Sequence, residues 1–143
     1  MILNNKYSDL GFLFRDSATE DLIQRLVHVV GKSLPSAYLD FLRYSNGADG
    51  TFINIFEIDL AIKYFEDENM NYFMPGFLVF GSNGGGEAYG YNLNAYPYEI
   101  VMMPFIGGEW DIAVHCGTDF FEFLKKASSG FSFLEGKMFE FDD

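Results

Sequence analysis

Residues 34–50, LPSAYLDFLRYSNGADG, read as a short amphipathic helix opened by a proline and stopped by an Asn-Gly pair with a glycine exit. Pro35 suits a first helical position, where its missing N–H would go unpaired in any case. Leu34, Tyr38, Phe41 and Leu42 recur at helical spacing on one face. Asn46 and Gly47 end the helix, since both tolerate the left-handed conformation that terminates many helices. Upstream, Ser17-Ala18-Thr19-Glu20 has the form of a capping box. It is followed by Leu22, Ile23, Leu26, Val27 and Val30 on one stripe and by Gly31 as a stop. The expectation is two short helices within residues 17–46, packed on a sheet.

The strands of that sheet are expected downstream of the helical pair. Residues 51–56 are β-branched and aromatic and predict a strand, whereas residues 59–67 fit neither period and are taken as a short helix. Residues 77–80, 88–93, 100–105 and 110–115 are apolar or alternating segments bounded by glycine, asparagine or proline, the pattern of consecutive antiparallel strands. Thr118 is the predicted cap of a closing helix that turns Phe120, Phe121, Phe123 and Leu124 inward, with Lys125 and Lys126 where the helix dipole favours cations. Trp110, Phe121 and Leu124 are expected to be mostly buried. With no repeat, low-complexity tract or linker, residues 1–143 read as a single α+β domain: an N-terminal helical pair and a C-terminal helix packed on a mainly antiparallel sheet.

Composition narrows the function. A chain of 143 residues with 17 Phe and 9 Tyr can fill one bulky core and keep some aromatics for a partner. The net charge of −12, from 21 acidic against 9 basic residues, speaks against nucleic-acid binding, which depends on Lys and Arg at phosphates, and leaves two readings open: an acidic face for a basic protein partner, or acidity that simply keeps the protein soluble. One cysteine, Cys116, makes no internal disulfide. The start, Met1-Ile2-Leu3-Asn4-Asn5-Lys6, lacks the apolar run of a signal peptide, and the run at residues 100–106 contains Pro104 and falls short of the roughly 20 residues a membrane helix needs. A cytoplasmic protein with no membrane contact is expected.

No catalytic constellation emerges. The run Gly81-Ser82-Asn83-Gly84-Gly85-Gly86 lacks the Lys-Ser/Thr of a nucleotide loop and precedes Glu87 and a strand, so it reads as a hairpin turn. His115 and Cys116 are strand neighbours that point to opposite faces and cannot share a proton, and with His28 they match no metal template. Glu109 and Asp111 flank Trp110, as acids do at some sugar-processing sites. On a strand, though, they would simply form a solvated face over a buried indole. Glu66-Asp67-Glu68-Asn69 offers oxygen ligands without the spaced loop of a calcium motif and reads as a solvated helix end or loop. No enzyme, metal or cofactor is expected.

The helix pair with its LP opening and NG close resembles the SUKH superfamily, which includes yeast cell-wall glucan-synthesis and killer-toxin-resistance regulators and many bacterial immunity proteins. FLVFGSNGGGEAYGYNL at residues 77–93 and VHCGTDFFEFL at residues 114–124 resemble the strand-turn-strand and the closing helix of that family in the same order. The chain departs from the common pattern at Gly117-Thr118, where a serine pair is more usual, and in a Phe-rich tail after Gly130. The resemblance implies a non-enzymatic binding protein, foremost an immunity protein that sequesters a toxin domain such as a nuclease, whose basic surface would attract an acidic inhibitor. The alternative it implies is an intracellular regulatory scaffold. The acids expected to carry partner binding are Glu66, Asp67, Glu68, Glu87, Glu109 and Asp111, which fall in loops and on polar strand positions. The aromatic residues of the tail at 131–141 are the fallback.

Overall fold

Helix α1 (Glu20–Val30) starts two residues later than the capping box implies. Ala18 N–H is still engaged with Leu42 O at 2.9 Å, so the chain stays extended until Thr19, whose hydroxyl accepts from Leu22 N–H at 3.2 Å. Gly31 ends α1 in the left-handed conformation, as expected. Helix α2 (Ser36–Tyr44) has Pro35 as its cap residue instead of its first turn. These elements come from a computed structural model, which describes residues 6–138. Met1–Asn5, where a signal peptide would begin, and Phe139 and Phe141 of the tail lie outside the described residues.

The end of α2 departs from the expectation in an instructive way. Ser45 and Asn46 both avoid positive φ, and Gly47 alone is left-handed. Asn46 instead accepts Ile58 N–H on its side-chain oxygen at 2.9 Å, while its own N–H bonds Asp16 O at 2.8 Å. Ser45, fully buried, accepts Arg15 N–H at 2.8 Å and donates to Gly47 O. The SNG triplet is thus a junction that ties three chain segments together, which is why its polar groups can be buried.

Seven strands pair in strict chain order, each antiparallel to the next: β1 (Leu13–Phe14), β2 (Ala48–Asp49), β3 (Asn54–Ile55), β4 (Phe77–Ser82), β5 (Glu87–Asn92), β6 (Glu99–Pro104) and β7 (Val114–Gly117). Residues 77–93 form the expected hairpin, with Gly84 and Gly86 left-handed at its tip. The strand expected at residues 51–56 shrinks to β3, because residues 50–53 close a turn through Gly50 N–H to Ile53 O at 3.0 Å. Helix α3 (Ile58–Phe65) matches expectation, and residues 66–69, read as a solvated helix end or loop, are the exposed end of α3 and the start of a further, unexpected helix, α4 (Glu68–Phe73), nucleated by Asp67 accepting Met70 N–H at 2.9 Å. The strand expected at residues 110–115 is replaced at its start by a 3-10 turn, Trp110–Ile112. Helix α5 (Phe120–Ser128) is capped by Asp119, not Thr118, through Glu122 N–H at 2.8 Å, and a hairpin of β8 (Phe131–Ser132) and β9 (Lys137–Met138) comes after it.

Strand alternation divides the core in two. On the first sheet face α1, α2 and α5 enclose Tyr38, Phe41, Phe80, Tyr91, Phe120 and Phe123, all essentially inaccessible and linked by ring contacts of 5.2–6.3 Å. On the second face Phe77, Val79, Ala88, Val101 and Met103 lie under Met70 of α4, Met74 at its C-terminal end and the half-buried Trp110. Leu124 is in the core as its spacing predicts, but two other residues are less buried than expected. Phe121 is half-buried, sandwiched between Tyr7 and the ammonium groups of Lys6 and Lys125, and Trp110 packs edge-on to Phe77 at 5.6 Å with part of its ring in water.

Candidate binding cleft

The second face is covered by a thinner layer than the first, and the layer has a gap. Residues 104–109, PFIGGE, leave β6 and must turn back over α4 before β7 begins. Gly107 is left-handed, and a Cβ on Gly108 would collide with Pro104 O and the Met74 sulfur, so only glycine lets the loop seat on α4. Trp110 then donates its indole N–H to Pro75 O at 2.8 Å. That long-range bond, with Ile112 N–H to Glu109 O and Ala113 N–H to Trp110 O closing the turn, overrides the strand-like alternation of the sequence. Glu109 and Asp111 consequently do not share a strand face.

Between α4 and this loop lies a cleft of about 520 Å³. Met70, Met74 and Phe105 form its apolar lining with Tyr64, which stacks on Phe56 at 5.4 Å and meets Phe105 at 5.3 Å. Phe73 and Ile106 stand at its lip, 58% and 93% exposed. Asp67 also lines it, with one oxygen engaged in capping α4. Of the six acids singled out in the sequence, Glu66, Asp67 and Glu68 fall on the α3–α4 junction that forms one wall, and Glu109 and Asp111 on the segment that continues the other; all five are exposed. Glu87 is not with them. Its side chain shares the opposite sheet face with Tyr89, accepts Asn83 Nδ2–H at 2.9 Å and borders a smaller hollow beneath β8.

The chain that builds the cleft is poor in basic residues, exposed Lys63 beside the lining Tyr64 being the nearest in sequence. Between Lys63 and Lys125 the chain contains neither lysine nor arginine, and that span supplies α4, β4–β7 and the loop after β6. Several basic side chains elsewhere are occupied: Arg15 with Asp49 and Glu57, Arg25 with Asp59, Arg43 with Glu20 and Asp40, Lys125 with Glu122. Sequence reasoning names the acids but misses the hydrophobic half of the site. The basic-free stretch and the exposed Phe73 and Ile106 beside Gly107-Gly108 are the signals that point to it.

The remaining chemistry is unreactive in its setting. Cys116 faces the first core, donates to Val114 O at 3.4 Å and has its thiol pushed up to about 12 by burial, opposite to what a nucleophile needs. His115 lies on the other face, exposed and within 2.8 Å of Glu99. Among the described residues no three His, Cys, Asp or Glu side chains come together to hold a metal, and no helix is long and apolar enough to cross a membrane.

Helices laid on an antiparallel meander, with a largely apolar cleft that one acid, Asp67, lines, define a single α+β domain. The chain belongs to the SMI1 / KNR4 family (SUKH-1), whose model matches residues 17–136, from the residues leading into α1 to the hairpin that closes the fold. Members of this family are generally non-enzymatic and work through protein–protein contact, broadly as immunity or regulatory domains. No curated protein matches the chain.

Proposed function

We propose that this protein is a cytoplasmic immunity protein that binds a toxin domain with a basic surface, such as a nuclease, and neutralises it by occupying that surface without any chemistry of its own. The observation that carries the reading is the cleft side of the sheet, where five exposed acids lie in a stretch of chain free of Lys and Arg. A nuclease must hold phosphate with cations, and an inhibitor of net charge −12 is steered toward such a surface over about a Debye length, roughly 8–10 Å at physiological salt. The test is co-expression: the chain should restore growth to cells making the toxin domain encoded beside it, and a purified complex should form between the two. Failure to protect, together with association to a protein of the cell's own wall-synthesis or signalling machinery, would favour the regulatory-scaffold reading instead.

A further inference from the structure

Taking the protein-binding reading as its basis, we infer that the cleft between α4 and the Phe105–Gly108 loop seats a single apolar side chain of the partner, presented between Lys or Arg residues. The volume of about 520 Å³ is ample for one aromatic or branched aliphatic group. Its lining sulfurs adapt to different shapes, because methionine side chains bend and polarise where β-branched ones do not. Phe73 and Ile106 expose their apolar surface at the mouth, and a guest between them would remove that surface from water. The walls do not need to rearrange, since Gly108 is wedged on Met74, Trp110 is held to Pro75 and Tyr64 is clamped between Phe56 and Phe105. Such pre-formed pockets are where interface anchors concentrate their binding energy.

Charge selects the flanks of the guest. Asp67 lines the cleft, exposed Glu66 and Glu68 flank it in the chain, and exposed Glu109 and Asp111 follow the lining Gly108, with no lysine or arginine between Lys63 and Lys125 to answer them. A second copy of this chain would bring the same acids face to face and be repelled, and nucleic acid would be repelled by its phosphates. A basic segment with one buried hydrophobic residue satisfies both halves of the site at once.

The test uses the intact chain carrying ¹³C-methyl methionine and three capped peptides: Lys-Arg-Phe-Arg-Lys, the same sequence with Ala for Phe, and Glu-Glu-Phe-Glu-Glu. The Phe-containing basic peptide should shift the Met70 and Met74 methyl resonances saturably at low salt, the Ala version should bind about tenfold more weakly, and the acidic peptide should leave both methyls unmoved. The double variant Phe73→Ser, Ile106→Ser alters only exposed side chains and should reduce the Phe peptide to the affinity of the Ala peptide while circular dichroism stays unchanged. Equal binding of the Phe and Ala peptides, shifts confined to other methionines, or undiminished binding by the double variant would each overturn the inference. The neutralisation reading is scored separately. If the wild type protects cells against the toxin and the double variant protects equally at matched expression, the cleft is not the seat. If neither protects, neutralisation falls, while the methyl shifts still decide the cleft.

Discussion

At Gly47 a left-handed backbone and a close approach coincide: a Cβ there would stand 2.7 Å from both the Glu57 amide nitrogen and the Ile55 carbonyl. Gly84, at the β4–β5 tip, is also left-handed but opens on empty space. Gly47→Ala should therefore cost about 3 kcal/mol and Gly84→Ala only about 1 kcal/mol, a difference readable from urea midpoints. Trp110→Ala, which a fully buried indole would make a change of about 3–5 kcal/mol, should cost only about 2 kcal/mol given its half-burial and its bond to Pro75 O, with the unfolding followed by circular dichroism. Cys116 supplies a pH argument. Its folded thiol holds its proton to about 12, whereas the unfolded chain ionises in the ordinary thiol range. The stability this contributes is whole below that range and declines as pH rises through it toward 12. Iodoacetamide at mildly alkaline pH should accordingly leave the native protein at its unmodified mass and alkylate it in urea; rapid native labelling would contradict the burial.

Among the α-helices, α4 is the one the sequence pattern does not reveal, and the reason is physical. Its six residues, ENMNYF, are too few to show a period, and its start depends on the single carboxylate of Asp67, which a reading by composition assigns to solvent. Asp67→Ala should cost about 1 kcal/mol and loosen α4 specifically, seen as faster amide exchange at residues 70–74 with α5 protection intact. By contrast α1, α2, the β4–β5 hairpin, β6 and α5 are legible, because apolar spacing and glycine or proline punctuation agree there over several turns or alternations. The segment at residues 110–112 reads as strand because its alternation is genuine, and only a partner far along the chain, Pro75, makes it a turn. The cleft is half legible for the same reason. Acids can be counted along a sequence, but that α4 and the loop after β6 wall one hollow is a fact of packing.

At the scale of the whole molecule, several exposed acids carry charge without carrying fold, so the two can be separated at those positions. Reversing Glu66, Glu68 and Glu109 to lysine touches only exposed side chains. The triple variant should keep its unfolding free energy within about 0.5 kcal/mol. Its association with a basic partner at low salt, measured by stopped-flow, should slow by about tenfold or more, and raising the salt should bring the wild type toward the variant. Unchanged association would place the interface away from the cleft side. The topology itself carries a last consequence. Because each of the seven strands of the main sheet is bonded to its neighbour in sequence, no chain segment threads past another within that sheet, and the short connections, such as those after β4 and β5, close only their own two strands. Lengthening or recutting one such connection adds little closure entropy, which grows only logarithmically with loop length, and leaves the register of the other strands untouched. The short turns at the rim of this sheet can thereby be redrafted one hairpin at a time over a fixed frame.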